Sequence, residues 1–447
     1  MVHIVSLGCP KNLVDSEVMA SILTKSGYDI SPRPDNADVI IVNTCAFILP
    51  AKEESIDEIL RMAQWKQKSG GHSACLVVTG CLPQRYGKIL KKEMPEVDLF
   101  LGINEVPNIA RHLEDLYGKE QRACRSITGK PAFLMNAAHL RLISTPSHTA
   151  YLKIAEGCSN LCSYCVIPFI RGKTRSRRMD DILKEAEILA AGGVKEIIIT
   201  AQDTTAYGRD LKGKPTLSDL LKNLAAIEGI RWIRLLYTYP ASLTDAILYT
   251  IAGEEKICNY IDIPIQHIDD DILKAMNRHG GSDLIRKTIA KAREMIPGVA
   301  LRTSIIVGFP GETKGKLNRM LSFIKETRFD HLGVFTYSRE EGSAAASLPS
   351  RISEKEKKSR RQLIMEEQSI ISYEINQSLI GSHQEVLIEG KSDIPDFPHI
   401  GRCRRQSPEI DGIAYVKAEN LTPGDLINCK VTGAAEYDLF AEIIKKE

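Results

Sequence analysis

The sequence has no run approaching the ~18 consecutive apolar residues that a membrane-spanning helix needs. Its opening residues, Met1-Val2-His3-Ile4-Val5-Ser6-Leu7-Gly8, also lack the basic n-region of a signal peptide. A cytoplasmic protein with no membrane partner is expected. Neither sign of charge prevails: 59 Lys and Arg stand against 57 Asp and Glu, a formal net of +2. The chain as a whole therefore offers no field that would draw in nucleic acid. Internal repeats and low-complexity tracts are absent as well. Disulfides are a poor use for the eleven cysteines, an odd number in a chain without an export signal, because cytosolic thiols stay reduced. Metal ligation is the leading reading. With 447 residues, 43% hydrophobic and 26% charged, the chain is long enough for about three soluble domains, each with its own core.

Short apolar strands at 3–7, 39–43, 75–79 and 99–101 alternate with amphipathic helices at 14–26, 55–66 and 84–93. This alternation predicts one open α/β domain over residues 1–120. Residues 121–149 have little periodicity and gather Ser, Thr, Pro and His near their end, which suits a linker. A second alternation places strands at 151–155, 196–200, 232–237, 260–265, 300–307 and 331–337, with helices between them at 181–191, 217–227 and 284–295, among others. Gly192-Gly193 and Gly298 sit where left-handed helix caps belong. Six β-α units predict a partial (β/α)6 TIM-like barrel over residues 150–378, with its chemistry at the C-terminal strand ends. Beyond a charged helix at 354–379, short strands at 385–388, 413–417, 426–432 and 439–443 are separated by Gly, Pro and Asp. They predict a small all-β barrel over 379–447. The fold class is α/β, multidomain.

Directly after the first barrel strand come Cys158, Cys162 and Cys165 in Cys-x3-Cys-x2-Cys spacing. Three thiolates on one loop can hold three irons of a 4Fe-4S cube, and no fourth cysteine follows in the loop. An iron left open can be chelated by the amine and carboxylate of S-adenosylmethionine, which places the sulfonium beside a one-electron donor. Breaking a C–S bond there yields a 5'-deoxyadenosyl radical. The competing reading is a structural zinc loop, which calls for four protein ligands in paired spacings. In the first domain Cys9, Cys45 and Cys81 are each separated by 35 residues, and each ends a predicted strand. Parallel strands finish at a common sheet edge, so these thiols can converge on a second cluster with an open iron. Against this stands the plainer reading of three buried cysteines along a sheet edge. Cys75, Cys124, Cys258, Cys403 and Cys429 show no ligand spacing and are ordinary thiols.

On the 158–165 triplet and its place in a six-unit barrel, the chain resembles the radical S-adenosylmethionine superfamily. Its three-domain order resembles the methylthiotransferases within it, in which an auxiliary-cluster domain precedes the radical barrel and a TRAM β-barrel follows. The resemblance covers nearly the whole chain. It implies two 4Fe-4S clusters, held by Cys9, Cys45 and Cys81 and by Cys158, Cys162 and Cys165. It also implies S-adenosylmethionine both as radical source and as methyl donor, and sulfur inserted from the auxiliary cluster. An unactivated C–H bond is too weakly acidic for an enzymic base, so a radical must remove the hydrogen. Residues implied to contact S-adenosylmethionine are Tyr164, Gln202, Asp203, Gln266, Arg302 and Gly308; no catalytic residue beyond the cluster ligands is implied. For His267, a packed strand-end histidine and a ligand are equal readings. The run from Arg171 to Arg178 holds five basic residues in eight, commonly a solvated loop, although Arg171 could bind a carboxylate.

Within that family some members modify a tRNA adenosine and another branch modifies the β-carbon of an aspartate in the small-subunit ribosomal protein S-twelve. The segment Ser6-Leu7-Gly8-Cys9-Pro10-Lys11-Asn12-Leu13-Val14-Asp15-Ser16-Glu17 is similar to the ribosomal-protein branch. So are Gln202-Asp203-Thr204-Thr205-Ala206-Tyr207-Gly208 and Ser407-Pro408-Glu409-Ile410-Asp411-Gly412. Ala46 and Gln406-Ser407 depart from that branch's pattern. The charge of the last domain agrees: residues 381–447 carry twelve Asp or Glu and eight Lys or Arg, a net of −4. An acidic surface suits a basic ribosomal protein better than RNA phosphates. The expected partners are that protein, a reducing electron donor and a sulfur donor, with nucleic acid not primary. The alternatives are tRNA adenosine methylthiolation and, from another class, a non-catalytic iron-sulfur RNA-binding protein.

Overall fold

A computed structural model describes residues 1–68, 74–117, 124–349 and 352–444. The first sheet is parallel throughout. Strands β1 (Val2–Ser6), β2 (Ile30–Ser31), β3 (Val39–Thr44), β4 (Cys75–Gly80), β5 (Leu99–Leu101) and β6 (Arg125–Ile127) lie in the order β2-β1-β3-β4-β5-β6. Between them run α1 (Pro10–Lys25), α2 (Leu49–Lys68), α3 (Cys81–Glu93) and α4 (Ile109–Tyr117). β3 and β4 are buried along their whole length, as expected of strands covered by helices on both faces. The sequence expectation starts the first helix at 14, but Pro10 opens it, because a proline at N1 gives up an N–H that had no helical partner anyway. Part of the expected linker is β6, a half-buried edge strand without an apolar alternation. The expected boundary at residue 120 lies outside the described residues.

The second sheet is also parallel and stays open, in the order β14-β13-β12-β11-β10-β7. Its strands are β7 (Thr149–Lys153), β10 (Glu196–Thr200), β11 (Trp232–Leu235), β12 (Ile257–Asp262), β13 (Ala300–Val307) and β14 (His331–Thr336), while β8 (Ala155–Glu156) and β9 (Arg175–Ser176) form a small antiparallel pair beside the cysteine loop. Its helices are α5 (Ile167–Arg171), α6 (Met179–Ala191), α7 (Leu217–Ala225), α8 (Asp245–Gly253), α9 (Asp270–Ala275), α10 (Gly281–Met295) and α11 (Lys314–Thr327). A 25-residue helix, α12 (Glu354–Ser378), is capped by Ser353, whose Oγ accepts the Glu356 N–H at 3.2 Å. It buries Arg360, Ile364, Gln368 and Ile371 on one stripe.

The last domain is a closed barrel in the order β15-β16-β17-β19-β18, built from β15 (His383–Lys391), β16 (His399–Cys403), β17 (Ala414–Lys417), β18 (Leu426–Ala434) and β19 (Leu439–Ile443). β16 is one strand more than the sequence suggests. Its alternation is broken because Arg402 turns inward, where Glu196 meets it at 2.6 Å. The barrel closes the N-terminal end of the central sheet, so the C-terminal strand ends face the first domain. One apolar cluster runs through all three parts, joining Val18 and Val77 to Tyr151, Trp232 and Tyr260 and on to Leu387. Among the described residues no helix is long and apolar enough to cross a membrane.

Candidate active site

Cys9, Cys45 and Cys81 follow β1, β3 and β4, which are neighbours in the first sheet and end at the same edge. Two glycines bring the three loops together. Gly8 has φ +88°, and a Cβ there would lie 2.6 Å from the Cys45 Cβ and 3.0 Å from its Sγ. Gly80 has φ +97°, and a Cβ would lie 2.4 Å from the Asn43 Oδ1. Asn12 stitches the edge by donating Nδ2 to the carbonyls of Leu7 (3.0 Å) and Thr44 (2.9 Å), while its Oδ1 lies 3.8 Å from the Cys81 Sγ. Ser55 Oγ accepts the Cys45 N–H at 3.1 Å and donates to the Cys45 carbonyl at 3.0 Å. Burial acts to raise all three thiols. Lys11 and Arg171 outweigh it at Cys9, whose pKa ends lower than usual, whereas Cys81 is raised and Cys45, beside the other two sulfurs, is pushed up to about 12.

The second triplet hangs on a loop between β8 and α5. Gly157 has φ +81°, and a Cβ there would strike the Lys173 carbonyl at 2.3 Å. The Cys158 N–H donates to the Gly172 carbonyl at 3.0 Å, and Ser163 N–H to the Met276 carbonyl at 3.0 Å, while the Ser163 carbonyl accepts the Ala345 N–H at 2.7 Å. Burial pushes Cys158 up to about 11 and Cys165 to about 12. Such thiols can ligate only once a metal centre has displaced their protons. No three His, Cys, Asp or Glu side chains among the described residues stand close enough to grip one ion. A four-iron cube asks less, since each thiolate binds a different corner, so both donor sets fit such a group.

Between the two sets of cysteines lies a buried charge network. Arg171, 2% exposed, faces Asp15 of α1 at 3.2 Å and Glu156 at 2.9 Å, and donates to the Asn12 Oδ1. Lys153 bridges Asp15 and Glu156 as well, at 3.0 Å from the latter. Burial would raise the Glu156 carboxyl, but Arg171 and Lys153 hold it well below the carboxylate range. Gln202 donates to Glu156 Oε1 at 2.8 Å. The Asp15 and Glu156 carboxylates thus tie the edge that carries Cys9 and Cys81 to the residue two before Cys158. A second tie joins Glu340, 1% exposed, to Lys52 and Arg85 of the first domain, both at 2.7 Å.

Of the residues implied to contact S-adenosylmethionine, several gather at the C-terminal strand ends around the cysteine loop. Asp203 accepts the Asn160 Nδ2 at 2.6 Å, and Gln202 keeps a buried Oε1 without a partner. Gln266, at φ +69°, bridges to Ile305; Gly308, at φ +76°, donates its N–H to Glu312 at 2.7 Å. Tyr164 packs with Phe309 and Tyr337. Arg302 is not brought to this edge. It lies inside the barrel between Asp262 (2.9 Å) and Asp411 of the last domain (3.4 Å). A cleft of about 580 Å³ at the opposite end, lined by Lys195, Arg231 and Asp425, is remote from all six cysteines.

Residues 1–102 match the Uncharacterized protein family UPF0004, residues 152–324 the Radical SAM superfamily and residues 380–444 the TRAM domain. Relatives named ribosomal protein uS12 methylthiotransferase RimO include that of Syntrophus aciditrophicus, 61% identical over 99% of this chain and 98% of the relative. Those of Geobacter sulfurreducens (99% and 98% covered) and Pelotomaculum thermopropionicum (99% of each) are both 50% identical. The chain belongs to the RimO family. Among solved structures the fold is similar to the radical S-adenosylmethionine methyltransferase TsrM from Kitasatospora setae (TM-score 0.55, 12% identity, 86% of this chain and 76% of that one). It is also similar to the cobalamin-dependent radical enzyme OxsB (TM-score 0.52, 13% identity, 83% and 56%). At such identities the likeness concerns the fold alone.

For a RimO-family chain, the expected solvated loop at 171–178 needs correcting. Arg171 and Arg177 are buried because each meets carboxylates, Arg171 those of Asp15 in the first domain and Glu156, and Arg177 those of Asp181 and Glu185 on the helix that follows it. His267, 1% exposed, accepts the Asp269 N–H on Nδ1 at 2.9 Å, and burial lowers its pKa to about 4. It is a neutral, packed strand-end histidine. Sequence reasoning passed over Lys153, Glu156, Asp15 and Glu340. One signal was available: Lys153 ends a strand and interrupts the run Ala150-Tyr151-Leu152 to Ile154-Ala155, where a cation is kept only with a partner.

Proposed function

We propose that this chain inserts a methylthio group at the β-carbon of an aspartate of ribosomal protein uS12, in the cytoplasm, with a reducing electron donor and a sulfur donor as further partners. The cofactors are S-adenosylmethionine and two 4Fe-4S clusters. Cys158, Cys162 and Cys165 would hold the first and Cys9, Cys45 and Cys81 the second, in domains divided at 1–120, 150–378 and 379–447 about a linker at 121–149. When bound, these groups supply a one-electron reductant, a radical that removes hydrogen and a sulfur atom to transfer. The protein contributes position. Arg171, Lys153, Asp15 and Glu156 fix the separation of the two ligand sets. Gln202, Asp203, Gln266, Gly308 and Tyr164 would hold S-adenosylmethionine beside the cysteine loop.

The observation that carries the reading is that two incomplete three-thiolate sets, from different domains, stand on either side of that network. A purely structural iron-sulfur protein has no use for two open irons. The acidic last domain supports the protein substrate. Arg402, Arg404 and Arg405 turn inward to Glu196, Glu385 and Asp330. That leaves Lys391, Lys417 and Lys430 exposed, against Asp393, Asp396, Glu409, Glu419, Glu436 and Glu442, among the described residues. Such a face attracts a basic protein and repels RNA phosphates. Mass spectrometry of uS12 from strains with and without the gene tests the reading: a methylthio addition on an aspartate is expected only with the gene. Unmodified uS12 in both strains, with an altered tRNA adenosine instead, refutes the substrate.

A further inference from the structure

Lys11 is buried, 6% exposed, and sits at the second position of α1, two residues from Cys9. Two features make this an odd place for a cation. The N-terminal turn of a helix already carries positive partial charge, which disfavours an ammonium there. More tellingly, Lys11 is the one buried Lys or Arg among the described residues that faces no carboxylate. Every other, from Lys153 on Asp15 to Arg402 on Glu196, has one. Burying an ammonium without a carboxylate to pair it is costly, and a ligand that brings one would complete it.

What holds Lys11 is an aromatic face. Its Nζ lies 3.4 Å from the centroid of the Tyr237 ring, at the C-terminal end of β11. A cation–π contact offsets part of the desolvation, and the neighbouring Cys9 sulfur part of the charge, but no carboxylate meets the ammonium hydrogens. Tyr237 is itself constrained, at φ +59°. Its N–H is held by Asp262 Oδ2 at 2.9 Å and its carbonyl by the Thr204 N–H at 3.0 Å. Bulky residues keep left-handed backbone only where the surroundings enforce it, and such positions cluster at ligand sites. The ring is thus fixed as a seat for the lysine, and the lysine is presented between the first domain's cysteine edge and the barrel mouth.

We propose that Lys11 binds the side-chain carboxylate of the substrate aspartate and thereby selects a carboxylate-bearing protein over a nucleoside. The inference rests on the function proposed above. The γ-carboxyl carbon is bonded directly to the β-carbon that receives sulfur. A cation that grips the carboxylate beside Cys9 therefore presents the β-carbon to the auxiliary ligand set. An adenosine offers no carboxylate to this site. The ligand chemistry is a carboxylate, which the methionyl end of S-adenosylmethionine could also supply, so the test separates the two.

The measurement is the affinity of the reconstituted full-length chain for two uS12 peptides, one with the target aspartate and one with asparagine in its place. Affinity for S-adenosylmethionine is measured in parallel. The chain should prefer the aspartate peptide by ~30-fold or more, the usual scale for a buried charge pair. Lys11→Met should bring the two peptides to equal affinity, and Lys11→Arg should keep most of the preference. Affinity for S-adenosylmethionine should stay within about twofold. The thermal midpoint of Lys11→Met without ligand should equal or exceed that of the parent, since an uncompensated charge has been removed. A parent chain and Lys11→Met variant that share the same preference overturn the proposal. So does loss of S-adenosylmethionine affinity in place of peptide affinity, or a fall in the thermal midpoint that Lys11→Arg restores while the preference persists. If the parent binds neither peptide, the uS12 reading itself falls and takes this inference with it.

Discussion

Replacing Arg171 with methionine should loosen the first domain from the barrel while leaving each folded. Arg171 is 2% exposed and neutralises both Asp15 (3.2 Å) and Glu156 (2.9 Å). Without it two buried carboxylates share the single ammonium of Lys153. Removing one partner of a buried ion pair costs about 3–5 kcal/mol, and the remaining lysine places this case near about 3, a hundredfold or more in the docking equilibrium. Pairing the change with Glu156→Gln restores one anion to one cation, so the double variant should recover about 2 kcal/mol of that loss. The chain's two tryptophans report the domains separately. Trp65 lies on α2, 36% exposed, and Trp232 is fully buried in β11. Urea titrations of single-tryptophan variants should show the Trp65 and Trp232 transitions coinciding in the parent and separating in Arg171→Met. A shift below about 0.5 kcal/mol, or a double variant no more stable than the single, would refute the claim that charge balance holds the two ligand sets in place.

Gly8→Ala should cost the first-domain cluster, because its Cβ would lie 2.6 Å from the Cys45 Cβ at a left-handed φ of +88°. Iron and sulfide analysis after reconstitution should fall from two clusters toward one, and full loading would contradict the geometry. Glu196→Gln should undock the β-barrel, since fully buried Glu196 holds Arg234 at 2.8 Å and Arg402 at 2.6 Å. The expected loss is about 3 kcal/mol, read as faster protease cleavage near the end of α12. The same carboxyl sets an acid limit. Burial alone would raise it, but the two arginines hold it at about 2 against an ordinary 4.5. The unfolded chain therefore takes up a proton as pH falls from 4.5 to 2 and the folded chain does not. Stability present above pH 4.5 is lost through that window, by about 3 kcal/mol. That limb should shrink in Glu196→Gln.

By itself the sequence determined the elements and the ligand sets. Continuous apolar strands and helices of period 3.6 mark both sheets. The spacing of Cys158, Cys162 and Cys165 is local enough to read directly. Cys9, Cys45 and Cys81 were legible because parallel strands must end at one edge, a topological fact that needs no coordinates. Where local pattern was weak, the reading stopped. β6 and β16 carry too little apolar alternation to stand out, the latter because Arg402 faces inward. Only the tertiary structure decided which charges meet. Asp15, Lys153, Glu156 and Arg171 are spread over more than 150 positions, and each alone reads as an ordinary polar residue. Arg302 belongs with Asp262 and Asp411 for the same reason, and Lys11 stands out only once every other buried cation is seen to have a partner. Backbone periodicity is written along the chain, whereas charge compensation is settled between segments that meet only after folding.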